Sequence, residues 1–183
     1  MAEDPLRKEA LRLVNAVEAR EGLARFIFTG RCMFPVLKDQ DLILVKPVHP
    51  NSLRLGDIVV YKARGHRWVH RFLYRKPMGE RLAIVAKPDN AWSADPPFFK
   101  EDLEGIVQEA RRNKKSLLFT PPFSRASSCI IGFLSLAELF FHTVFIRLRK
   151  AFGGKIKLPH ALKKLVRFLI KSPKNIIVHL IAK

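Results

Sequence analysis

Cysteine is scarce in this 183-residue chain: Cys32 and Cys129 are its only two, and they lie far apart, so no disulfide framework holds it together and both read as reduced thiols. The histidines at 49, 66, 142, 160 and 179 have no metal-ligand spacing to cysteines or acids, so no metal is expected, nor any other cofactor. There is no glycine-rich phosphate loop and no dinucleotide fingerprint, which removes the nucleotide-dependent classes. Residues 1–22 are charged and lack an apolar stretch, so no secretory signal peptide is expected there. No internal repeat or low-complexity segment is present. Acid is nearly absent from the last part: beyond residue 110, Glu138 stands alone against 16 Lys and Arg.

What is present divides the chain. Residues 1–110 carry 18 basic and 15 acidic residues and are near neutral, whereas 111–183 are strongly basic and apolar. A hydrophobic fraction of 48% excludes a disordered chain. Cations interleaved with Leu, Ile and Phe favour an anionic lipid surface as partner of the tail, and no nucleic acid is expected. The expected organisation is an amphipathic helix in 1–22, a β-rich domain over 23–112, and a basic, helical, membrane-associating tail over 113–183.

Within 5–20, Asp4 can cap a helix with Pro5 in its first turn, and Leu6, Ala10, Leu13, Val14 and Val17 fall on one face, suited to packing on the domain or a partner. Short β-like runs follow at 24–29, 41–45, 57–62, 68–74, 81–86 and 105–110, separated by Pro- and Gly-containing turns. That spacing predicts a mainly β fold, a coiled antiparallel sheet or barrel. Residues 111–115 read as a basic hinge. Residues 129–146 are just long enough to span a bilayer, but Ser135, Glu138 and His142 form a polar stripe, and a lone Glu in hydrocarbon costs roughly 2.5–3.5 kcal/mol. The stripe favours a helix lying in the interface or packed on a partner. Residues 158–171 have the pattern of a membrane-surface helix, and 175–182 are too short to span.

Chemistry centres on Gly30-Arg31-Cys32-Met33-Phe34-Pro35, a thiol offered on a turn after the apolar run Phe26, Ile27, Phe28. A free thiol has a pKa of about 8.5, so a nucleophilic cysteine needs a base or a positive neighbour. His70, in Trp68-Val69-His70-Arg71-Phe72, is the best-placed histidine. In a strand it shares the apolar face of Trp68 and Phe72, where it needs a partner, and Arg71 points the other way. On residues alone a satisfied structural histidine remains the commoner outcome. Asp57 reads as a turn cap.

Four segments in order carry a resemblance: the Cys32 turn, Asp41-Leu42-Ile43-Leu44-Val45, Leu55-Gly56-Asp57-Ile58-Val59-Val60-Tyr61, and Val69-His70-Arg71, with a looser match at Gly105-Ile106-Val107. Over roughly 24–110 the chain resembles the signal peptidase I and LexA-type peptidases (the S24/S26 group). It is most similar to the archaeal and endoplasmic-reticulum branch, which uses His as general base. The resemblance implies the β fold of that group and Cys32, in place of the family Ser, as nucleophile. It implies His70 as base, Asp89 or Asp95 as the acid that orients it, and the Cys32 N–H as oxyanion donor. Met33, Phe34 and Pro35 would line the substrate cleft or, for Met33 and Phe34, pack beneath the turn. Pro88 stands where the family has Gly. The implied partner is an extended peptide or protein substrate, with small residues before the cut.

Two functions stay open. One is a signal-peptidase-like endopeptidase working by a Cys-His mechanism, with Asp assistance, at a membrane and with the cytoplasmic face favoured. The other is an inactive peptide- or membrane-binding relative on the same fold. A LexA-like regulator is disfavoured, because no helix-turn-helix precedes the core and position 70 is not Lys.

Overall fold

The structure, a computed structural model, describes residues 22–112, 115–118 and 123–151. The helix expected at 5–20 and the segments at 158–171 and 175–182 lie outside the described residues.

All six expected runs are strands: β1 (Ala24–Ile27), β2 (Leu42–Lys46), β3 (Ile58–Ala63), β4 (His66–Met78), β5 (Arg81–Lys87) and β6 (Leu103–Arg112). They pair antiparallel in the order β1-β2-β6-β3-β4-β5. The sheet curls without closing, and the curl carries Phe26 of β1 to within 3.9 Å of the Arg67 guanidinium on β4. A further strand, β7 (Lys115–Leu118), pairs with the end of β6, so the sheet continues where a hinge was expected. Arg112 does not open a linker either, because its guanidinium grips Asp41 of the domain at 2.8 and 2.6 Å.

Period-2 alternation on β3 feeds two cores. Ile58 and Val60 join Phe28, Met33, Leu37, Ile43 and Val107 on one face, while Val59 and Tyr61 join Phe72, Ile84 and Phe98 on the other. With both faces covered, β4 is buried through five consecutive residues from Val69 to Leu73. It also runs through Pro77, paired with Leu82. Proline is tolerated there because β3 pairs β4 only as far as Arg71, so among the described residues no strand on that side calls for the missing N–H.

The third part is one long helix, α1 (Phe123–Ala151), packed against β4. Its polar stripe turns inward onto its own sheet: Ser135 and Glu138 are buried, beside Ile131 of the first core. Glu138 Oε2 meets Lys87 Nζ of β5 at 2.6 Å, with both side chains out of solvent. Contact is close enough to require glycine. A Cβ on Gly56, whose φ is +94°, would lie 2.1 Å from the Ser128 carbonyl oxygen, and Gly132 sits directly over Gly56. The lone acid of the tail is thus part of the domain.

Candidate active site

The Cys32 turn belongs to a loop joining β1 to β2. Its ends are stitched by Phe28 N–H to Asp41 O (2.8 Å) and Gln40 N–H to Phe28 O (2.9 Å). Gly30, at φ +99°, donates to Asp39 Oδ1 at 2.7 Å. Asp41 is the keystone: buried, it accepts from Lys38 N–H at 2.8 Å as well as from Arg112. Met33, Val36 and Leu37 anchor the loop from below. Met33 is fully buried and so packs beneath the turn instead of lining a cleft, whereas Phe34 stands exposed and Pro35 half-buried at the surface.

The end of β5 makes room for the thiol. Pairing of β5 with β4 stops at Lys87 opposite Arg71, and Pro88 follows, so among the described residues no strand pairs with β4 on that flank before Arg71. Cys32 sits there, half-buried, its Sγ 3.8 Å from Val69 O. Asn90 N–H donates to Cys32 O at 2.9 Å and ties the turn to the segment after β5.

His70, next on β4, has its ring on the second core's side and almost fully out of solvent. Its Nδ1 lies 2.5 Å from Asp95 Oδ2, and Tyr61 OH donates to the same oxygen at 2.8 Å while sitting 3.2 Å from Nδ1. Asp95 is aimed by its own N–H, which donates to Ala86 O at 2.9 Å, and Tyr61 is held by a stacked Phe98 ring 3.8 Å away. Burial works against a charged His70. The hydrogen bond and charge of Asp95, together with the nearby Cys32 thiol, outweigh it and raise the imidazole to about 9. Burial, then the Asp95 carboxylate, pushes the Tyr61 hydroxyl up, so it stays a donor. The other ring nitrogen, Nε2, is buried and makes no hydrogen bond among the described residues, so the thiol–imidazole bond is not closed in this geometry. Catalytic hydrogen bonds are often long before substrate arrives.

Of the two acids in the 88–95 segment, only Asp95 reaches His70. Asp89 is a buried partner of Arg71, bonded through Nε at 2.8 Å and Nη2 at 2.7 Å, and Arg71 also donates to Gly56 O at 2.6 Å. Arg71 does point away from His70, but into a charge-paired interior. Asp57 caps its turn, accepting from Arg54 N–H at 2.7 Å. Tyr61 was missed as a site residue; its place in the Gly-Asp-Ile-Val-Val-Tyr segment, one strand-pair step from Trp68 and two residues from the partner of His70, is the signal that would have found it. Beside Tyr61 and Asp95 opens a cavity of about 470 Å³ walled by Trp68, Pro96, Pro97 and Phe98. Among the described residues no cluster of three His, Cys, Asp or Glu side chains is placed to hold a metal ion.

No family model matches the chain, and no curated protein matches it significantly.

Proposed function

We propose that the protein is an endopeptidase that cuts an extended precursor peptide near a membrane surface, by Cys-His chemistry on a sheet of the S24/S26 type. The observation that carries this is the chain of contacts from Asp95 to His70 Nδ1, with Cys32 as the second group acting on the ring. A carboxylate on Nδ1 leaves Nε2 as the nitrogen that exchanges a proton with sulfur, and a raised imidazole favours the thiolate–imidazolium form of a cysteine nucleophile.

The steps follow. The thiolate attacks the scissile carbonyl, and charge develops on its oxygen, with the Cys32 N–H assigned as the main-chain donor to it. The imidazolium protonates the leaving amine as the C–N bond breaks, leaving a thioester. Neutral His70 then takes a proton from water, whose oxygen attacks the thioester carbon and restores the thiolate. An extended substrate pairs with the flank of β4 next to Cys32, beyond the last β5 pair at Arg71, and meets the exposed Phe34 and half-buried Pro35 of the Cys32 loop. The membrane face is the cytoplasmic one, reached through the basic C-terminal part.

One observation favours the second reading, a peptide-binding relative without chemistry: Sγ lies toward Val69 O and is not hydrogen-bonded to Nε2. Alkylation of Cys32 by iodoacetamide in a Cys129→Ala background separates the two. The enzyme reacts rapidly at pH 6–7, at least about tenfold faster than a free thiol of pKa about 8.5 would, and His70→Ala removes the excess. A rate that matches a free thiol and ignores His70→Ala overturns the catalytic reading.

A further inference from the structure

We propose that α1 is a monotopic membrane anchor: it lies in the plane of one leaflet, apolar face in lipid, while its polar stripe stays sealed against the β-sheet. This deepens the membrane part of the reading above and stands whether or not Cys32 cuts peptides.

By length and composition alone, Arg125–Ala151 is able to cross a bilayer. Its docking forbids that. The residues that lie against the β domain, from Ser128 through Ile131, Gly132 and Ser135 to Glu138, take up the N-terminal half of the apolar stretch, and the part left beyond Glu138 is too short to span by itself. A helix spanning the bilayer would carry β4, β5 and the buried charges of Lys87, Arg71 and Asp89 into hydrocarbon with it. The alternative, in which α1 leaves the sheet, takes Glu138 away from a Lys87 that has no exposed surface.

The opposite face meets what a leaflet demands. Ile130, Phe133, Phe140 and Phe141 are about half exposed or more, and at helical spacing they share one side of α1. Thr143, exposed on the helix, donates its Oγ1 to Leu139 O at 2.8 Å, and the only acid of the helix is sealed by Lys87 on the other side. Arg147, Arg149 and Lys150 lie exposed at its C-terminal end, where they suit anionic headgroups. An apolar, largely aromatic face bordered by cations and offering no acid fits lipid better than a protein groove, whose rim is polar. The consequence is positional. Segment 87–90 joins α1 (through Lys87) to Cys32 O (through Asn90 N–H), so the nucleophile is held at a fixed height above the leaflet.

The test uses the full chain with Cys32→Ser and Cys129→Ala, and Ile130→Cys, Phe133→Cys, Phe140→Cys or Val144→Cys added one at a time. Each is labelled with an environment-sensitive fluorophore and mixed with phosphatidylcholine–phosphatidylglycerol vesicles carrying quenchers at set depths. In-plane insertion puts all four labels at one shallow depth. A spanning helix separates positions 130 and 144 by about 21 Å at 1.5 Å per residue, and that gradient overturns the proposal. Labels that stay in water overturn it too, and point to a protein partner for this face. In the otherwise native chain, Phe133→Asp with Phe140→Asp weakens vesicle binding at least tenfold and leaves Cys32 alkylation unchanged. Undiminished binding of that variant overturns the proposal, whereas slow alkylation in the native chain would count only against the peptidase.

Discussion

His70 titrates at about 9 in the fold against 6.5 for an ordinary imidazole, and this makes Asp95→Asn the most informative single change. The ring is almost wholly buried, so solvent screening takes little from the effect. A folded value above the unfolded one means that the Asp95 and Cys32 contacts stabilise the protein fully below pH 6.5. That stability is lost as pH rises through about 9. The difference corresponds to about 3 kcal/mol, which for a chain of this length is roughly 6–12 °C in Tm. In Asp95→Asn the charge and the strongest acceptor go while burial remains, and the His70 value falls. The variant is then less stable than the wild type by about that amount at pH 6, and the two curves converge above pH 9.5. Proton NMR of the His70 ring gives the titration, and calorimetry across pH gives the stability difference, with His70→Gln cancelling the background of other groups. The reasoning fails if wild-type His70 titrates at or below 6.5, or if Asp95→Asn leaves its titration in place.

Other changes separate scaffold from site. Glu138→Gln strips the carboxylate from Lys87 and costs about 3–5 kcal/mol in urea unfolding, while Lys87→Met with Glu138→Leu regains most of it. Gly56→Ala drives a Cβ into the Ser128 carbonyl at a positive φ and lowers Tm by more than 5 °C, or about 2 kcal/mol, seen by thermal melting. Met33→Ala opens a core cavity and costs about 2–5 kcal/mol. Phe34→Ala leaves stability within about 0.5 kcal/mol and, if the peptidase reading holds, raises KM for peptide.

Much of the sheet was legible because its signals are local. Each strand announces itself by alternation between turn residues, and β3 needs nothing beyond Ile58, Val59, Val60 and Tyr61 to specify two faces. The same rule put His70 on an apolar face in want of a partner and sent Arg71 the other way. It could not choose between Asp89 and Asp95, which lie close together in one segment. The fold sorts them by side of β4: after Pro88 the chain offers Asp89 to Arg71 on the helix side, then crosses and offers Asp95 to His70. Two adjacent strand residues of opposite orientation therefore took two nearby acids. The strand β7 was hidden for a different reason, since Lys115–Leu118 has no alternation and exists by pairing with an over-long β6.

The tail shows the division most clearly. Helical spacing alone determined that residues 129–146 carry one polar stripe, and the cost of a lone Glu in an apolar setting pointed that stripe to an interface or a partner. Only the tertiary structure decided how that acid is met, through a lysine 51 residues earlier in sequence. Periodicity reports which residues share a face, because that depends on backbone geometry within a few residues. Which faces meet depends on loops that close over tens of residues, and a pair such as Lys87 and Glu138 acquires its energy only after both have left water together.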